Sequence, residues 1–242
     1  IGLGIPAEPL FRSSYGSIEN CSFVNVSSFN NAGCIYSDVN GWNRGVAEPL
    51  FITDSEFINS RSRYGGAIVH LGDALHLYNS KFINNSAVYS GGAIYVSDAF
   101  HKDVIDFTSG DYRKVCAFKI ENTTFINNKL DSMDDLSNGG AIYAHKSILN
   151  ISDSKFINNT KNAVCVYTGA YNINNTLFDN NEEAVRSINL MYSILNNNTY
   201  SGDILVENLT DDKYVLIVNG TGLELKFVNN SLIVENLPSR YD

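Results

Sequence analysis

Proline, basic residues and long apolar runs are all scarce in this chain. Four prolines in 242 residues leave strand-forming stretches uninterrupted. Lys and Arg total 17 against 26 Asp and Glu, a formal net charge of -9. With no basic stripe to neutralise phosphates, nucleic acid is not an expected partner. The same deficit argues against anionic membranes. No apolar run reaches the length of a membrane-spanning helix, about 18 residues or more. No stretch sets apolar residues at helical spacing over ten or more positions, on the order of three turns. The chain opens at Ile1 with neither an initiator Met nor a signal peptide, so it reads as a portion of something longer.

What is present is a repeat. Phe82-Ile83-Asn84-Asn85, Phe125-Ile126-Asn127-Asn128, Phe156-Ile157-Asn158-Asn159, Phe178-Asp179-Asn180-Asn181 and Phe227-Val228-Asn229-Asn230 share one phrase. A second phrase is Gly65-Gly66-Ala67-Ile68, Gly91-Gly92-Ala93-Ile94 and Gly139-Gly140-Ala141-Ile142. Aligned on the aromatic residue, position zero reads Phe23, Phe57, Phe82, Phe125, Phe156, Phe178 and Tyr200. Five residues earlier stand Ile18, Ile52, Leu77, Ile120, Ile151, Ile173 and Leu195. Asn or Asp occupies the position three earlier, a small polar residue the position two earlier, and Asn the position two later. Short strands separated by bends fit these columns, with β-branched and aromatic residues at the apolar positions.

Spacings of 25 (57 to 82), 31 (125 to 156), 22 and 22 residues fit one turn of a solenoid. The expected fold is all-β, a parallel β-helix of roughly eight coils spaced about 4.8 Å apart, with side-loop insertions. The Phe column would become an aromatic stack, and the Asn columns, including Asn84, Asn127 and Asn158, amide ladders with buried partners. In the Gly-Gly-Ala-Ile phrase, Gly serves a corner and Ala a tight interior slot. Cys34 and Cys165 are read as filling the slot of Ala67, Ala93 and Ala141. Cys21 replaces an interior Ser or Thr, and Cys116 precedes an apolar strand. Free buried thiols are therefore expected, with Cys21–Cys34 the likeliest exception. The domain reading is a lead-in or cap over 1–15, repeats over 16–202, and final coils, a cap or a following module over 203–242.

The alternation of Gly-Gly-Ala-Ile with Phe-x-x-Asn resembles the repeats of chlamydial polymorphic membrane proteins. It is similar also to the adhesin-like surface proteins of methanogenic archaea. The likeness spans about residues 16–200 and lapses in the first two coils, where Val26 and Ser60 replace the second Asn. It implies a right-handed parallel β-helix in an exported, cell-surface or extracellular protein that serves adhesion. It carries over no catalytic residue.

Eleven Asn-x-Ser/Thr sequons make a glycoprotein one reading. An Asn-rich repeat also creates sequons by chance, and Asn208 and Asn219, outside the ladders, are the better acceptors. A β-helix can also carry pectate-lyase-like enzymes, which need clustered carboxylates with Arg or Lys. Asp134-Asp135 and Asp211-Asp212 are the only Asp pairs, and His70, His76, His101 and His145 show no obvious partner. The chain is therefore not expected to be an enzyme.

Function in a solenoid tends to sit in insertions. The first runs from Ser37 to Gly45 and carries Trp42 and Arg44. The second, from Ser97 to Lys114, stretches the Phe82-to-Phe125 spacing to 43 residues. Its Phe100, His101, Lys102, Tyr112 and Arg113 are the first choice for a partner-binding surface. In the third, Lys129 to Asn138, Asp131, Asp134 and Asp135 would hold calcium or form a solvated acidic turn. No other cofactor is expected. The resulting expectation is a surface adhesin binding a cell-surface protein or glycan through loops, against an enzyme or an envelope spacer.

Overall fold

The computed structural model describes residues 16–38, 49–72, 74–97, 118–132, 134, 137–201, 203–207, 215–221 and 225–228. Every regular element among them is a strand. The first coil holds β1 (Gly16–Glu19), β2 (Ser22–Val24) and β3 (Ile35–Asp38). The second holds β4 (Leu50–Thr53), β5 (Glu56–Ile58), β6 (Arg61–Tyr64) and β7 (Ile68–Leu71). Next come β8 (Leu75–Tyr78), β9 (Lys81–Ile83), β10 (Ser86–Ser90) and β11 (Ile94–Ser97). They are followed by β12 (Phe118–Glu121), β13 (Thr124–Ile126), β14 (Lys129–Leu130) and β15 (Ile142–His145). β16 (Ile148–Ser152), β17 (Lys155–Ile157), β18 (Asn162–Asn174), β19 (Leu177–Asp179) and β20 (Glu183–Tyr200) continue the winding. β21 (Asp203–Glu207), β22 (Val215–Thr221) and β23 (Leu225–Val228) follow them.

Each strand pairs in parallel with its equivalent one coil away, which makes the molecule a parallel β-helix. One face stacks β3, β7, β11, β15 and the start of β18. A second stacks β1, β4, β8, β12, β16 and the end of β18. The third stacks β2, β5, β9, β13, β17 and β19. β6, β10 and β14 form a short sheet of their own. The parallel pairing continues through β21 and β23, where Phe227 registers with Val206. That copy of the repeat phrase therefore lies outside the Phe column.

The column itself runs from Phe23 to Tyr200. Successive ring centroids lie 4.7–5.4 Å apart with planes within 11° of parallel. This is stacking at the coil rise, near the favourable range for aromatic pairs. Phe82 and Phe125 stack at 4.9 Å although 43 residues separate them. Extra residues are thus accommodated outside the column. The aliphatic residues five positions earlier form a parallel interior column, from Ile18 through Ile52, Leu77 and Ile120 to Leu195.

Two left-handed bends shape this side of each coil. The residues three before and two after the aromatic have φ between 48° and 57°, among them Asn79, Asn84, Asn122 and Asn127. Asn and Asp tolerate this conformation better than other residues with a Cβ. The second bend corrects the ladder expectation. Asn84, Asn127 and Asn158 are exposed, and their amides form an outer ladder, as in Asn127 Nδ2 donating to Asn84 Oδ1 at 3.1 Å. The buried ladder stands one residue later, because the left-handed turn directs the following side chain inward. Asn85, Asn128, Asn159 and Asn181 fill it. Asn128 Nδ2 donates to Asn159 Oδ1 and to the Phe82 carbonyl, both at 3.0 Å. Its Oδ1 accepts from the Asn85 backbone and side chain at 3.1 and 2.9 Å.

A hydroxyl column lies two residues before the aromatic. Ser55, Ser80 and Thr123 are buried, and each hydroxyl donates to the carbonyl two residues earlier at 2.7–3.0 Å. Gly65, Gly91 and Gly139 have φ of 59°, 67° and 76°, so the first Gly of each pair serves a left-handed corner. The second Gly has a different role. A Cβ on Gly92 would overlap the carbonyl oxygen of Gly140 in the next coil. The Ala slot continues from Ala141 to Ala163, whose carbonyl accepts the Ala141 N–H at 3.2 Å. Cys165 instead registers with Tyr143, which corrects its expected place, although it is fully buried. Cys21, Cys34 and Cys165 are all free. Cys34 does occupy the Ala slot, and burial pushes its thiol up to about 12. Cys116 lies outside the described residues.

Candidate functional site

The first two insertions leave the helix at one corner. β3 ends at Asp38, which registers with Leu71, and Leu71 registers with Ser97 at the end of β11. On the other side of the corner, Leu50 registers with Leu75, and Lys119 with His76. Residues 39–49 and 98–117 thus connect equivalent strand ends two coils apart, on the order of 10 Å. The coil between them turns the same corner with residues 72–74. Trp42, Arg44, Phe100, His101, Lys102, Tyr112 and Arg113 belong to these two insertions and lie outside the described residues.

The third insertion sits elsewhere, between β14 and the Gly139-Gly140 corner. Asp131 is 2.9 Å from Arg61 Nη2 and 3.8 Å from Lys129 Nζ, so its carboxylate is engaged by two cations. Lys161 Nζ donates to the carbonyls of Asp134 and Ser137. Asp135 lies outside the described residues. Among the described residues, no three His, Cys, Asp or Glu side chains gather as a metal site.

Next to the shared corner, the outward column of β4, β8 and β12 carries Phe51, His76 and Lys119. Phe51 is exposed, and its ring meets His76 edge-to-face at 5.1 Å. His76 meets Tyr78 at 6.2 Å, again edge-to-face, with the Tyr78 hydroxyl 3.5 Å from Nδ1. Lys119 Nζ lies 5.2 Å from the centre of the Tyr78 ring and 3.0 Å from Glu121 Oε2. Partial burial, and then the nearby Lys119 charge, lower the His76 pKa below 6.5, which keeps the imidazole neutral at pH 7. Glu121 raises the Lys119 pKa by hydrogen bonding.

On the opposite side of the corner, tyrosines cluster. Tyr95 and Tyr143 stack at 5.3 Å, and Tyr64 lies 5.2 Å from Tyr89 and 5.6 Å from Tyr95. The Arg63 guanidinium is 5.4 Å from the centre of the Tyr89 ring. Burial raises the Tyr143 hydroxyl pKa well above its usual value.

Three of the histidines without obvious sequence partners, His70, His76 and His145, have them in space. Buried His70 meets Phe118 edge-to-face at 5.5 Å, and His145 Nδ1 lies 3.2 Å from Ser97 Oγ. Sequence reasoning missed the Phe51–Glu121 patch as a unit. The available signal was the column six residues before the aromatic, which reads Phe51, His76 and Lys119.

The family model described as the Chlamydia polymorphic membrane protein (Chlamydia_PMP) repeat matches residues 79–97 and 122–145. These two segments hold β9–β11 and β13–β15, and the second insertion lies between them. No curated protein and no solved structure matches the chain. Among the described residues, no helix is long and apolar enough to cross a membrane.

Proposed function

We propose that this chain is part of an exported surface adhesin, a non-catalytic β-helix scaffold that attaches to a cell-surface partner at its insertion corner. The observation that carries this reading is the common root of residues 39–49 and 98–117. Two insertions rooted at equivalent positions, two coils apart, are both available to one partner, while the interior columns of the described residues stay in register. A structural spacer needs no such coincidence. The match to the polymorphic membrane protein repeat supports a surface location. The third insertion belongs to a different corner and is not part of the surface.

The test replaces residues 98–117 by the three-residue connection 72–74, which the neighbouring coil uses between the same strand ends. Attachment to cells should be lost while circular dichroism is unchanged. Equal attachment by the two proteins would remove the insertion as the binding element.

A further inference from the structure

The patch beside the corner has its own chemistry. Phe51, His76, Tyr78, Lys119 and Glu121 come from three successive coils and touch in a continuous chain of contacts. They cover about 10 Å along the rod and about 7 Å along the strands, the footprint of one or two sugar rings. Phe51 is 39% exposed, and the large apolar side chains exposed among the described residues are Val24, Phe29 and Phe51. Nothing in the stacking of the coils requires an aromatic ring there, since the same column continues with Asn150 and Asn172.

We propose that this patch is a subsite for a neutral pyranose of a cell-surface glycan. This inference rests on the attachment reading and names the partner's class. A pyranose presents an apolar C–H face and a rim of hydroxyls that both donate and accept. Phe51 offers apolar ring surface to the first. For the second, Lys119 Nζ and the Tyr78 hydroxyl donate, while the Glu121 carboxylate and the unprotonated His76 nitrogen accept. Lys119 and Glu121 cancel in charge, and each side chain is more than 40% exposed, so both remain within reach of a ligand. An acidic sugar would meet the Glu121 carboxylate on a chain whose net charge is already -9, so the local balance selects a neutral one. A protein partner of standard size would bury about 800 Å² on this side, far more than the patch offers.

The experiment is saturation-transfer NMR on the full chain with methyl glycosides of glucose, galactose, mannose and N-acetylglucosamine, against sialic acid and glucuronic acid. Transfer to at least one neutral glycoside, and not to the acids, is expected. Phe51→Ala should weaken binding by roughly fivefold or more, the scale of a lost aromatic contact. Phe51→Leu, which keeps apolar bulk but removes the ring, should weaken it in the same direction if Phe51→Ala does not fold. Lys119→Met should also weaken it, and Thr124→Ala on another face should leave it unchanged. Transfer only to the acids, transfer to none, or equal binding by the Phe51 variants would overturn the subsite. So would cell attachment that resists glycosidase treatment of the cells and yields to protease, which marks a protein partner. The protein with 98–117 replaced separates the two readings. If it binds the sugar while cell attachment is unchanged, the corner reading fails and the subsite stands. Attachment lost in that variant, with no sugar bound by the intact chain, gives the reverse.

Discussion

Two outward columns of this solenoid share one backbone pattern and differ in composition, although the face that carries the uniform one also carries the mixed column Glu56, Lys81, Thr124 and Lys155. On the β5–β9–β13–β17 face, Ile58, Ile83, Ile126 and Ile157 follow one another in register. On the β4–β8–β12–β16 face, the register places Phe51, His76, Lys119 and Asn150 in succession. A uniform column is what coil-on-coil stacking selects, because each residue packs on its own kind. A mixed column is not set by like-on-like packing, so its side chains are free to serve a ligand as well as each other. The Phe51 column borders the corner at which both longer insertions are rooted, and the isoleucine column lies over the Phe stack and the Asn ladders.

The comparison breaks most easily at the stack. Phe125 is fully buried between Phe82 and Phe156. Phe125→Ala should lower stability by about 3–5 kcal/mol through transfer and cavity terms. A denaturant midpoint that hardly moves would show that the uniform side does not hold the coils together. The buried amide ladder should come next. Asn128→Ala takes the partner of the Asn85 backbone N–H, at about 1–3 kcal/mol, and removes one further bond each from Asn85 Nδ2, Asn159 Oδ1 and the Phe82 carbonyl. Asn127→Gly, one residue away, keeps the left-handed backbone and removes an exposed amide bond, for about 1 kcal/mol or less. Equal losses in the two would contradict the division into inner and outer ladders.

The corner should show the opposite behaviour. Replacing 98–117 by the connection of residues 72–74 should not lower stability, since shortening 20 residues to three reduces the loop-closure cost by roughly 1.5–2 kcal/mol. The smallest effect concerns His76, faced by Phe51, Tyr78, Lys119 and Glu121. Its folded-state pKa lies below 6.5, so the unfolded chain binds its proton first on acidification. Its contribution is therefore full above pH 6.5 and is lost as pH falls through the lower folded value. His76→Gln should lose less stability than the parent between pH 7.5 and pH 5.5, on the order of the window set by an ordinary histidine. Identical pH profiles would show that His76 is not held neutral by its neighbours.

Much of the fold was legible because the columns recur. The aromatic register from Phe23 to Tyr200 follows from alignment alone, since insertions enter at corners and leave the column undisturbed. Which of two adjacent Asn residues is buried was not legible. Both are Asn in four coils, and only the left-handed φ of the first shows that the second turns inward. Cys165 was misplaced because its coil lacks the Gly pair: Asn162 precedes Ala163 there and accepts the Gly139 N–H through its side chain. The patch was least legible. Phe51, His76 and Lys119 are 25 and 43 residues apart, and no local pattern joins them. Alignment on the aromatic sets them in one column, and the parallel register shows that the column is continuous in space.

The central claim is that the uniform columns build and the insertion corner binds. The most direct measurement is cell attachment by three folded proteins with matched circular dichroism. They are the parent, the variant with 98–117 replaced, and Ile83→Thr/Ile126→Thr, which alters the uniform outward column with a strand-compatible residue. The account predicts loss of attachment in the corner variant alone. Attachment kept by the corner variant and lost by the isoleucine variant would contradict it.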